Sequence, residues 1–148
     1  MITIKYPIAV VCIFLWIGFV GAISFMEAWL KFKAPGITIP LGLGIGRLVF
    51  NALNKVEWTL AIIAIITLLW GNFDFFKWKS LFIWVIMGIL TLQTFWLLPA
   101  LDARAELHIQ GNEVPPSNLH FYYVGLELIK VVSLFITGIL FFKKQLYA

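Results

Sequence analysis

Two apolar stretches of this sequence carry polar side chains along one face. On a helix turning about 100° per residue, these side chains fall on a single side of each stretch. The first set is Arg47, Asn51, Asn54 and Glu57, and the second is His120, Tyr123, Glu127 and Lys130. Charged groups in apolar surroundings are costly unless they are paired, so we expect both faces to point inward. Glu127 is then expected to pair with Lys130 or Arg47, and the same two cations are the candidate partners of Glu57.

These polar residues can be interpreted in two ways. They form a pocket at one end of a helical bundle that binds an ion, a proton or a small polar ligand, or they form an internal network that only fixes the order of the helices. Under the first interpretation the candidate ligand-binding residues are Glu27, Arg47, Asn51, Asn54, Glu57, Asp102, Arg104, His120, Tyr123, Glu127 and Lys130.

Metal binding is a narrower version of the pocket interpretation. Oxygen ligands and one imidazole suit a hard or borderline divalent cation, and the sequence offers Glu27, Glu57, Asp102, Glu127 and His120. The neighbouring cations compete for these carboxylates, and the Glu-x-x-His pairs of di-iron bundles are absent from the sequence. A metal site is therefore the weaker alternative, and its metal is left open.

The sequence gives little support for a haem cofactor or for a catalytic group. The two histidines, His108 and His120, are separated by a loop with two prolines, so they do not suit haem held between two facing helices. We expect no cofactor. No serine–histidine–acid or cysteine–histidine arrangement is evident, so an enzyme is less favoured than a binding protein, although His120 and Glu127 could together supply a general base.

The composition explains where such residues must lie. The chain has 148 residues, of which 62% are hydrophobic and only 12% are charged, against roughly 25% charged in soluble domains. This predicts a membrane protein, with the lipid bilayer as its first partner. Four spans of about 20 residues use nearly the whole length, which leaves no soluble catalytic domain. The net charge of +4 contains no block of like charges, so a nucleic-acid partner is not expected.

The predicted fold is an all-α membrane protein, an antiparallel four-helix transmembrane bundle that forms one domain over residues 1–148. The apolar runs place its spans at about residues 6–30, 46–71, 80–101 and 119–142. Pro35, Gly36 and Pro40 are expected to end the first helix, and residues 42–46, with three glycines, to precede the second. A polar loop is expected over residues 105–118.

An antiparallel arrangement gathers the polar groups at one end of the bundle, because helices one and three end where helices two and four begin. Each end carries five Lys or Arg residues, so the positive-inside rule is balanced. We favour the end with Lys5, Lys77 and Lys143 as cytoplasmic, since Arg47 and Lys55 belong to a helix with acidic partners. This predicts a multi-pass protein of the plasma or inner membrane with both termini in the cytoplasm.

Two functional classes remain open. The first is a transporter or binder of an ion or small polar ligand, with a polar pocket at one end. The second is an accessory or scaffold subunit of a larger membrane complex, which docks other spans through lipid-facing grooves of small residues or aromatics. A homo-oligomer is the other candidate assembly, and it would favour the first class. Close helix contacts are expected at Gly18 and Gly21 on the first helix and at Gly125 and Gly138 on the fourth.

Short motifs also suggest a family. Leu97-Leu98-Pro99 is followed by Asp102-Ala103-Arg104, a polar loop and Leu119-His120-Phe121-Tyr122-Tyr123, with a weaker similarity from Gly46 through Trp58. In these segments the chain resembles the transmembrane-protein-205-like family, a bacterial four-span domain of unknown function. The resemblance implies four spans and membrane residence, with no settled activity. The sequence differs in the charged residues Glu127 and Lys130 of its last helix, and it lacks the longer third loop of the animal relatives.

Overall fold

The computed structural model describes residues 2–144, which form four long helices and one short strand pair. The helices are α1 (Pro7–Lys33), α2 (Ile39–Trp70), α3 (Trp78–Ile109) and α4 (Leu119–Leu140). All four are long and apolar enough to cross a membrane. The strands are β1 (Ile2–Ile4) and β2 (Phe142–Lys144), which pair antiparallel with Thr3 opposite Lys143.

Helix α2 begins earlier than the sequence predicts, at Ile39 rather than near residue 46. The Thr38 hydroxyl caps the helix by accepting from the Leu41 amide at 3.4 Å. Pro40 lies in the first turn, where a missing N–H costs nothing, so it starts α2 and does not help to end α1. The three glycines of residues 42–46 therefore lie inside α2, and the expectation that they precede it is wrong.

Helix α3 continues past its expected end near Leu101 to Ile109. Pro99 interrupts the backbone hydrogen bonding but not the helix, because the wide π-helical turn Gln93–Leu97 stands directly before it. Asp102 and Arg104 consequently lie on α3 rather than after it. Helix α1 contains a second π-helical segment, Gly21–Glu27.

The helices pack in a closed ring. Helix α1 contacts α2 and α4, while α3 contacts α4 through its first half and α2 through its second half. The core includes Trp16, Leu53, Leu90 and Leu134, one from each helix and each at most 2% exposed. All four helices thus share one apolar interior.

Aromatic rings pack against one another at one end of the bundle. The Tyr6 ring packs edge-on against Phe73 and Phe141, with centroids 5.7 and 5.2 Å away. The start of α1 therefore meets both the end of α4 and the connection between α2 and α3.

A compact loop connects α2 and α3 at this same end. The Asp74 carboxylate accepts from the Phe76 amide at 3.0 Å and pairs with Lys77 at 3.3 Å. The Phe76 hydrogen bond, with a smaller contribution from Lys77, holds the pKa of Asp74 below its ordinary value. Asp74 is therefore ionised at neutral pH and orders the loop.

The glycines confirm the expected close contacts at one position only. A Cβ atom at Gly138 would lie 3.1 Å from the Phe14 ring and 3.3 Å from Ile13, so α4 approaches α1 closely there. At Gly18, Gly21 and Gly125 a Cβ would meet nothing within 4 Å. The expectation of close contacts at these three glycines is wrong within the described chain.

We expect Gly138→Leu to lower the free energy of unfolding by about 1–3 kcal/mol relative to Gly125→Leu, because only the first side chain must displace Phe14 and Ile13. Both variants gain the same helix propensity, so their difference isolates the packing term. Thermal unfolding in detergent, followed by circular dichroism, measures it. Equal melting temperatures for the two variants would contradict the close packing of α1 and α4.

Candidate functional site

The predicted site residues separate into two groups at different depths. We call the first the charged centre; it consists of Glu57, Glu127 and Lys130 with Trp16 and Gln93. The second is the end pocket, a cavity of about 160 Å³ lined by charged and aromatic side chains near the start of α4.

Lys130 organises the charged centre. Its ammonium donates to Gln93 Oε1 at 2.7 Å and to Glu127 Oε1 at 3.3 Å, and it forms an ion pair with the Glu57 carboxylate. The side chains of Lys130, Glu57 and Glu127 are 0–1% exposed. The inward orientation and pairing expected for these three residues are confirmed. The inward orientation expected for Asn51 and His120 on the same two faces is wrong, because both are exposed.

Helix α1 joins the charged centre through Trp16. The indole Nε1 donates to Glu57 Oε1 at 2.7 Å, so every helix supplies at least one polar group. Sequence reasoning missed Trp16 and Gln93. Gln93 had a usable signal, because it is the only amide in the run 80–101, whereas nothing distinguishes Trp16 from the other six tryptophans.

The π-helical turn of α3 also carries a polar contact with α2. Gln93 is its first residue, and Thr94 Oγ1 accepts from Asn54 Nδ2 and from Trp58 Nε1, each at 2.9 Å. Asn54 therefore links α2 to α3 and does not line the end pocket.

The end pocket lies between the C-terminal part of α1, the start of α2, the C-terminal half of α3 and the first turns of α4. Its polar lining is Lys31, Arg47, Asp102, His120 and Tyr123. Its apolar lining includes Phe32, Phe50, Leu98 and Leu101. Side chains from all four helices therefore surround one small cavity.

Each cation of the end pocket already has an acidic partner. The Lys31 ammonium donates to Glu27 Oε2 at 3.1 Å. Arg47 Nε lies 3.7 Å from Asp102 Oδ1, and the same guanidinium pairs with Glu106. Asn51 Nδ2 also donates to Asp102, at 3.2 Å. The charges around the end pocket are thus close to balanced.

The prediction that all these residues share a single end cavity is wrong. Arg47, Asp102, His120 and Tyr123 line the end pocket, and Glu27 and Asn51 contact its lining. Glu57, Glu127 and Lys130 lie deeper, because the ten residues from His120 to Lys130 span about 15 Å of helix. Arg104 donates instead to the Pro115 carbonyl of the following loop.

The five side chains considered as metal ligands are also divided between the two groups. Within residues 2–144, no group of three His, Cys, Asp or Glu side chains is placed to hold a metal ion. Glu57 and Glu127 belong to the charged centre, while Asp102 and His120 line the end pocket and Glu27 borders it.

No family model, curated protein or solved structure matches this chain. The resemblance to the transmembrane-protein-205-like family stays a prediction based on its short motifs. The geometry of the charged centre and of the end pocket is therefore the basis for any functional inference.

A double-mutant cycle should reveal strong coupling between Glu57 and Lys130. We expect Lys130→Met alone to cost about 3–5 kcal/mol of stability, because it leaves buried carboxylates without their cation. Adding Glu57→Gln should recover part of that loss, with a coupling of about 1 kcal/mol or more. Denaturant unfolding in detergent measures the four proteins of the cycle.

The exposed pair of Lys77 and Asp74 provides the matched control. Lys77→Met removes an ammonium of the same kind from a surface position, where an ion pair contributes little. Its stability should stay close to that of the wild type. Strictly additive losses for Glu57→Gln and Lys130→Met would contradict the pairing.

Proposed function

We propose that this chain is a multi-pass helical membrane protein whose four helices cross the bilayer as an antiparallel bundle. The length and apolar character of α1 to α4 support a membrane location. The contacts of Tyr6 with Phe73 and Phe141 support the antiparallel order. The plasma or inner membrane, with both termini in the cytoplasm, is the proposed location and orientation.

The exposed surface supports a lipid environment. Large apolar side chains face outward on every helix, for example Leu15, Trp70, Phe95 and Phe121, which are 51–84% exposed. In water this surface would favour aggregation, whereas lipid tails solvate it.

We further propose that the protein binds, or transports, an ion or a small polar ligand in the end pocket. The observation that carries this proposal is the convergence of charged and aromatic side chains from all four helices on one cavity. Helices that only needed to pack would not require charged or polar side chains from each of them at a shared opening. The ligand's polar groups would contact Arg47, Asp102 and His120.

The size and charge of the end pocket define the class of ligand. A cavity of about 160 Å³ is below the roughly 300–1,000 Å³ of drug-sized sites, so the ligand has few heavy atoms. Arg47 Nε lies 3.7 Å from Asp102 Oδ1. A molecule with both an acceptor and a donor can therefore bind Arg47 through its acceptor and Asp102 through its donor, and neither charge is left unpaired. A small zwitterion or a neutral polar molecule fits this pattern better than a simple anion.

The second candidate function is an accessory or scaffold subunit of a larger membrane complex. The supporting observation is the open space beside Gly18, Gly21 and Gly125, where another helix could approach closely. Purification from the native membrane separates the candidates. A stoichiometric partner supports the accessory role, and a chain that purifies alone supports the pocket.

Ligand binding in the end pocket should raise the melting temperature of the purified protein, since a ligand at 100 times its Kd contributes about 2.7 kcal/mol. The probes are ammonium, acetate, a small zwitterionic amino acid and glycerol. We expect the zwitterion to give the largest rise in melting temperature of the wild type. Asp102→Asn should abolish this rise, because it removes one of the two charged groups that bind the ligand.

Asp74→Asn is the matched control, because it alters an ion-paired aspartate at the other end of the bundle. Its shift with the zwitterion should equal that of the wild type. Equal shifts in Asp102→Asn and Asp74→Asn would place the ligand elsewhere, and no shift with any probe would contradict the proposed ligand class.

A further inference from the structure

We propose that the charged centre is a proton-binding site, in which Glu127 carries one exchangeable proton that enters through Tyr123. The site lies deeper in the bundle than the end pocket. It does not depend on the pocket having a ligand, so the two proposals can fail separately.

The balance of charges is the first argument. The centre contains two carboxylates and one ammonium, each at most 1% exposed. With all three ionised, the buried group carries an excess negative charge, which apolar surroundings strongly disfavour. One added proton makes the centre neutral and leaves one complete ion pair.

The hydrogen bonds indicate which carboxylate holds the proton. Glu57 Oε1 accepts from the Trp16 indole at 2.7 Å and also pairs with the Lys130 ammonium, which are the contacts of an ionised group. The contacts of Glu127 with the Lys130 ammonium nitrogen are longer, at 3.3 Å for both Oε1 and Oε2. Glu127 Oε2 is buried and has no hydrogen-bond partner within residues 2–144. Glu127, whose contacts are longer and whose Oε2 lacks a hydrogen bond, is therefore the carboxylate that takes the proton.

Few titratable groups act on Glu127. On α4 they are Tyr123 and Lys130, and from α2 the group is Glu57. Helices α3 and α1 contribute the neutral side chains Gln93 and Trp16 to the centre. The Lys130 ammonium is the only cation among them, and Glu57 already neutralises it.

Tyr123 connects the charged centre with the end pocket. Its side chain is 3% exposed, lines the pocket and interacts with the Glu127 carboxyl group one turn further along α4. In the transfer step, the Tyr123 hydroxyl gives its proton to Glu127 while its oxygen takes one from a hydronium ion or buffer acid in the pocket. The tyrosine ends the step unchanged, and water or the conjugate base remains in the pocket.

From the opposite end of the bundle, a cavity of about 280 Å³ extends along α4 to Thr137 and does not include the charged centre in its lining. Beyond Lys130 along α4, the interior is filled by Leu134 and by Leu90 of α3, which are at most 1% exposed. The Thr137 hydroxyl there is already used, since it donates to the Ser133 carbonyl at 2.7 Å. The proton therefore exchanges with the side of the membrane to which the end pocket opens.

Infrared difference spectroscopy between acidic and alkaline pH, on protein in lipid nanodiscs, tests the proton site. We expect the wild type at neutral pH to show the carbonyl stretch of a protonated carboxyl group, and ¹³C-labelled glutamate to shift it. Glu127→Gln should remove the band, whereas Glu113→Gln, in the exposed loop, should leave it. The isotope shift needs no variant, so it holds even if Glu127→Gln does not fold.

Three results would overturn the assignment: no carboxyl band at neutral pH, a band that ¹³C-glutamate does not shift, or a band that survives in Glu127→Gln. Sodium ions provide a further check, because a buried negative centre could hold Na⁺ instead. If NaCl removes the band while KCl does not, the site is a sodium site and the proton assignment is wrong.

The entry route is tested by exchange into D₂O, which shifts the same band as Glu127 takes up a deuteron. We expect Tyr123→Phe to slow this exchange by about tenfold or more, since the relaying hydroxyl is gone. Tyr122→Phe is the matched control, because that tyrosine is exposed, and its rate should equal the wild-type rate. Equal rates in the two variants would overturn the Tyr123 route.

Discussion

Burial of the Lys130 ammonium is the constraint on which the arrangement of the four helices depends. An ammonium without partners is very costly in an apolar interior, and its partners come from α2, α3 and α4, with Trp16 of α1 bound to Glu57. Rotating any helix by one residue turns its polar group away by about 100°. Apolar contacts in lipid specify helix order only weakly, so the charged centre supplies the specificity that packing lacks.

The depth of the polar groups separates two kinds of ion pair. Arg47 and Asp102 are each about one-third exposed, so water weakens their attraction and the pair can open at small cost. The pair of Lys130 and Glu57 is sealed, and breaking it would leave buried charges. A ligand can therefore rearrange the end pocket while the charged centre keeps the helices in register.

The sequence predicts the helices well and their ends poorly. Apolar runs locate four spans, and a 3.6-residue period correctly turns Glu57, Glu127 and Lys130 inward. Pro40 and Pro99 mislead, because a proline in a first turn or after a π-helical turn does not stop a helix. Trp16 was missed because its partner lies on another helix, and pairing between helices leaves no local pattern. Gln93 could have been found, since it is the only amide in the run 80–101.

Tyr123 lines the end pocket and interacts with Glu127 of the charged centre, so it links the two groups of polar residues. Its hydroxyl can contact a ligand in the end pocket or the Glu127 carboxyl group, and the protonation state of Glu127 decides whether that carboxyl accepts or donates a hydrogen bond. A ligand that binds the Tyr123 hydroxyl therefore interacts differently with the two protonation states. Linkage then requires that protonation change ligand affinity by the same factor as the ligand changes proton affinity. The short distance along α4 between pocket and centre is what makes such coupling available to a chain of this size.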